Sequence, residues 1–204
     1  VGSGTSGAGG QVRIMAGRST VHTGGLLSLV GGEGTATTSG AVKIRSTNSG
    51  AAGGSGALYF STGTSKTGNS GAMVIGTGEA TAGRGGVMLM SVGSGTSGAG
   101  GSLQAFAGRS TTNTGGAVSL SSGEGTASTS GMVTIRSINA GKAGASGMLV
   151  FSSGSASSGN SGAIKLGSGT ATDGRGGMLM FTVGSGTSGV GGSIQAVAGR
   201  STTN

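Results

Sequence analysis

A glycine opens a new line of the chain at Gly10, Gly25, Gly40, Gly56, Gly71, Gly86 and Gly101, and again at Gly116, Gly131, Gly147, Gly162, Gly177 and Gly192. Every step is 15 residues except those leaving Gly40 and Gly131, which are 16. Six steps therefore span 91 residues, and residues 10–100 match residues 101–191 at roughly six positions in ten. A unit this short cannot bury a core by itself, so whatever the chain builds, it builds by repetition.

The third and fifth positions of each line sharpen the constraint. They read Val12/Ile14, Leu27/Leu29, Val42/Ile44, Leu58/Phe60, Met73/Ile75 and Met88/Met90 in the first block. The pairs continue, all apolar, from Leu103/Ala105 to Ile194/Ala196. With 52 glycines among 204 residues, no proline and no cysteine, composition alone suggests a disordered tract. Only 8% of residues are charged, however, and disorder has no reason to hold an apolar register.

Side chains two residues apart share one face of a strand. The pattern therefore predicts an all-β chain, a β-solenoid (parallel β-helix) of 15–16-residue coils with a 91-residue super-repeat of six coils. Residues 1–204 would form one continuous solenoid, a segment of a longer array, with super-repeats at 10–100 and 101–191 and a third starting at 192. Position eleven holds Thr20, Thr35, Thr81, Thr96, Thr111, Thr126, Thr172, Thr187 and Thr202, between small neighbours. This predicts a second, narrower strand with its threonines outward. In the two 16-residue lines, Thr47 and Ile138 replace the glycine of position eight, which predicts a bulged turn.

Chemistry-bearing residues are sparse. "VGSGTSGAGG" at Val1, repeated at Val92, contains the letters of a phosphate-binding G-x-G-x-x-G. That motif works only between a strand and a helix, and no helical period follows it here. His22 is the lone histidine, its counterpart in the next block is Asn113, and Asp173 is isolated. No catalytic, cofactor or metal residues are assigned, and no enzyme activity is expected. Arg18 and Glu33, like Arg109 and Glu124, share position nine of adjacent lines and are expected to form exposed ion pairs. Net charge is +8, but the cations are spread out and aromatics make up 2% of the chain, which disfavours nucleic acid and suits an acidic polysaccharide. No apolar run approaches the ~20 residues of a membrane span.

The expected outer face carries its own pattern. Position four holds Tyr59, Val74 and Leu89 in consecutive lines, then Val150 and Met180; position six holds Met15, Val30, Phe106 and Val197. These nine residues form a candidate lateral interface, with Leu26, Val87, Met132, Met148 and Met178 beside them at position two. The threonine ladder is a candidate surface for O-linked glycans or, alternatively, for ice. No N-x-S/T sequon occurs at Asn48, Asn69, Asn113 or Asn160.

Segments such as "GGAVSLSSGEGTASTSG" and "SGNSGAIKLGSGTATDGRGG" resemble the Gly/Ser/Thr-rich repeats in secreted surface proteins of diatoms, brown algae and oomycetes, some implicated in tubular mastigonemes, the stiff flagellar hairs. The resemblance implies an extracellular or flagellar-appendage location and a glycosylated, structural role. Together these features predict a filament or fibre shaft that self-associates with copies of itself or related chains. The alternative is an ice-binding, adhesin-type solenoid using the threonine ladder.

Overall fold

Residues 8–201 are described in the computed structural model. Among them there is neither a helix nor a β-strand. The expected β-solenoid is not formed, and the all-β reading is corrected. A solenoid coil must pair its N–H and C=O groups with the coils above and below it. Six backbone–backbone hydrogen bonds join the described residues, whereas a folded chain of this length makes on the order of two hundred hydrogen bonds. Six isolated bonds do not make a ladder.

The repeat instead sets where the chain bends. Bends fall at 20–22, 35–37, 51–53, 66–68, 81–83 and 96–98, then at 111–113, 126–128, 142–144, 157–159, 172–174 and 187–189. The residues expected in the second, outward strand lie in these bends, so that strand is corrected as well. Small hydroxyl residues beside glycine favour turns because their side chains bond the backbone locally.

In eight of the twelve lines the bend sits inside a small loop closed by a hydrogen bond, made in one of two ways. In six lines the opening glycine donates its N–H to the carbonyl of the position-eight glycine before it. Gly25 reaches Gly17 at 2.8 Å, Gly40 reaches Gly32 at 2.8 Å and Gly101 reaches Gly93 at 3.4 Å. The second block repeats this with Gly116 to Gly108 at 2.9 Å, Gly131 to Gly123 at 2.9 Å and Gly192 to Gly184 at 3.3 Å. In two other lines a hydroxyl substitutes: Thr77 donates to the Gly86 carbonyl at 3.4 Å and Ser168 to the Gly177 carbonyl at 3.0 Å. A third device holds the bend itself. The Ser19 hydroxyl accepts the N–H of His22 at 2.9 Å, and the Ser110 hydroxyl accepts that of Asn113 at 2.9 Å.

The tightest loops contain glycine at position ten. A Cβ on Gly34 would lie 2.6 Å from the Thr38 carbonyl oxygen, and one on Gly125 would lie 2.5 Å from that of Thr129. Neither loop can close around a larger residue. The 16-residue lines take up their extra residue before the bend, which starts at Ala51 and Lys142, one position later than elsewhere. Gly53 (φ 127°) and Gly144 (φ 140°) finish those bends in a conformation that L-residues rarely adopt. This takes the place of the expected β-bulge.

No core forms around the apolar pairs. No described residue is buried. The accessible surface is 20353 Å²; a folded monomer of this mass exposes about 8,300 Å² and the unfolded chain about 27,000 Å². The physical reason lies in the line itself. Two to six large apolar side chains in a line of fifteen or sixteen residues, several of them glycine, give too little burial to offset ordering the rest. The chain divides into two units, Val1–Leu103 and Gln104–Asn204, with the division three residues past Gly100, the end of the first 91-residue block. Each unit carries three of the glycine-to-glycine closures.

The loops supply a direct test. Gly34→Ala and Gly125→Ala are expected to speed amide hydrogen exchange at Gly40 and Gly131 by roughly fivefold, the loss of about 1 kcal/mol of closure. Gly76→Ala, which enters open space, leaves both rates unchanged.

Candidate interaction surface

The apolar register survives as a difference in exposure. Leu27, Leu58, Met73, Met88 and Leu149, all at position three, are 49–50% exposed. The candidate lateral residues stand further out: Tyr59, Val74 and Leu89 are 81–89% exposed, and Val30, Phe106 and Val197 are 84–90% exposed. Val150 and Met180 are less prominent, at 63% and 69%, and Met15 falls between. Alternation therefore orders the side chains without enclosing any of them. The positions expected to form an interior are half-exposed or more, up to 76% at Leu120, and that expectation is corrected.

Two apolar positions stand out that the register does not mark. Val190 is 98% exposed and Val21 is 80% exposed. Val21 lies within a bend and Val190 directly follows one, and their counterparts in the other block are Thr112 and Ala99. They are features of single lines. The only signal for them in the sequence is a large apolar residue inside a Gly/Ser/Thr-rich turn.

The structure also brings expected inner and outer residues together. Phe60, Met73, Val74 and Ile75 line one apolar hollow of about 340 Å³ between the fourth and fifth lines. Val74 was expected to face away from the other three. In the second block the corresponding residues are Phe151, Ile164, Lys165 and Leu166, so a cation replaces Val74.

The threonine ladder has a different geometry from the one its spacing suggests. Thr20, Thr35, Thr81, Thr96, Thr111, Thr126, Thr172 and Thr187 are each the first residue of a bend, and all are exposed. Thr202 lies outside the described residues. The other four bends begin at Ala51, Lys66, Lys142 and Ser157.

The charged residues are less connected than their register implies. Neither Arg18 with Glu33 nor Arg109 with Glu124 forms an ion pair, because adjacent lines are not stacked. His22 ends a bend, held by its own backbone N–H on Ser19, and Asp173 lies within another. Among the described residues no three of His, Cys, Asp and Glu gather closely enough to hold a metal ion. No helix among them is long and apolar enough to cross a membrane. Compared with protein-family models, curated proteins and solved structures, the chain matches none.

With no methionine buried, thioether oxidation reads the exposure directly. In dilute chain treated with hydrogen peroxide, Met73 and Met88 are expected to oxidise within about threefold of the rate of Met132 and Met148, as accessible methionines do. Peptide mass spectrometry over time measures the four rates.

Proposed function

We propose that this chain is a structural protein of extracellular material that associates with copies of itself into filaments or fibres. The observation that carries this reading is the exposed apolar register. Large apolar side chains recur every 15 or 16 residues through both blocks, and the single chain buries none of them. Exposed apolar surface of this extent marks an interaction surface. A surface with this spacing is matched best by another with the same spacing, and a second copy of the chain supplies it.

The hollow at Phe60, Met73, Val74 and Ile75 supports the same reading, since it is lined by apolar groups and open to a side chain from outside. The nine lateral residues, above all Tyr59, Val74 and Val197, are the first contacts in this scheme. Stiffness through stacked coils forms no part of it; cohesion comes from contacts between chains. The resemblance to stramenopile surface repeats supports an extracellular location and a role in appendages such as mastigonemes. Exposed threonines at the bends suit attachment of O-linked glycans. The ice-facing alternative requires a flat array, and threonines that each begin a bend give it little support.

Sedimentation velocity over a concentration series tests the proposal. The native chain is expected to assemble as concentration rises. A variant with Leu58, Phe60, Met73 and Ile75 changed to Ser loses about 2 kcal/mol of burial per site and should need at least a hundredfold higher concentration. A native chain that stays monomeric at millimolar concentration would refute self-association.

A further inference from the structure

The two 16-residue lines carry a second feature, which self-association does not use. Arg136, Ser137, Ile138 and Asn139 line a hollow of about 110 Å³ in the ninth line. A water molecule occupies about 30 Å³, so the hollow has room for a small oxyanion. Three of the four residues are donors: the planar guanidinium fork of arginine, a hydroxyl and a side-chain amide. The same sequence stands one block earlier as Arg45, Ser46, Thr47 and Asn48, with only the third residue changed. Lys43 and Lys66 become Thr134 and Ser157 one block on, whereas Arg45 is kept, as are Arg18 and Arg84. Arginine, serine and asparagine stay.

The surrounding charge is of one sign. Residues 34–78 contain Lys43, Arg45 and Lys66 and no acidic residue; residues 125–172 contain Arg136, Lys142 and Lys165 and no acidic residue. Glu33, Glu79, Glu124 and Asp173 all fall outside these stretches. Both lines then turn through a positive-φ glycine, Gly53 (φ 127°) or Gly144 (φ 140°).

We propose that Arg136, Ser137 and Asn139, and equally Arg45, Ser46 and Asn48, bind an anionic group of an acidic polysaccharide. Arginine pairs with the two oxygens of a sulfate or carboxylate, and the hydroxyl and amide donate to the rest. With aromatics at 2% of the chain, the stacking rings that hold the bases of a nucleic acid are scarce. The two sites, 91 residues apart, give a polymer chain two weak attachment points, whose strengths multiply when they are engaged together.

Fluorescence anisotropy with labelled dextran sulfate, polygalacturonate and neutral dextran tests this, using protein below the concentration at which sedimentation detects assembly. At about 50 mM salt the native chain is expected to bind one or both acidic polymers and not neutral dextran, with affinity falling as salt rises. The stronger of the two acidic polymers identifies sulfate or carboxylate as the group recognised. The R45Q/R136Q variant should bind about tenfold more weakly, as expected for losing a charged hydrogen-bonding partner. R84Q/R175Q removes the same charge from other lines and should change affinity less than about twofold. Equal weakening by the two pairs, or no binding by the native chain, would overturn the proposal.

Discussion

A backbone contact that leaves little room for a side chain organises the closed loops of this chain. In six lines the opening glycine comes back against the position-eight glycine of the line before, and the two meet through one N–H and one carbonyl. A Cβ on Gly25 would come within 3.1 Å of the Gly17 nitrogen, and one on Gly116 within 3.2 Å of the Gly108 nitrogen. Twelve glycines serve these contacts, whereas others, such as Gly50, Gly76 and Gly141, have open space around them. These contacts recur at matching places in the two blocks, while the bends keep their spacing even in lines without one.

The same contact limits the fold. One hydrogen bond per loop sets a position but leaves the intervening groups to water, so no sheet grows from it. Apolar side chains are ordered along each line but left half-exposed or more. The molecule thus combines a regular apolar register with no means of covering it internally. The proposed association between chains would resolve that mismatch, and the weak charge of the sequence, 8% of residues, would do little to oppose it.

Much of the organisation was legible in the sequence, and the manner of closure was not. The glycine period located the loops, and the two longer lines showed where their geometry changes. At position three Leu58 is less exposed than Tyr59 and Met73 less than Val74, but at position five Ile75 and Leu120 are more exposed than Val150 and Met180, so the pairs do not mark an interior. The step from alternation to a strand failed, because alternation states which residues share a face and says nothing of what pairs with the backbone. The threonines misled in the same way. Read as a ladder they imply a strand, whereas Gly-Thr and Ser-Thr neighbours next to small residues are equally turn chemistry. Arg45 and Arg136 drew no notice beside the irregular Thr47 and Ile138; the repeated Arg-Ser-x-Asn was the available signal.

The central claim is that the apolar register is covered between chains and not within one. Hydrogen exchange read by mass spectrometry, on dilute chain and on assembled material in parallel, tests it most directly. The account predicts near-intrinsic exchange along the dilute chain and, on assembly, protection that rises and falls every 15 residues with its maxima around positions three to five of each line. Strong periodic protection already present in the dilute monomer, or assembled material without a period, would contradict it.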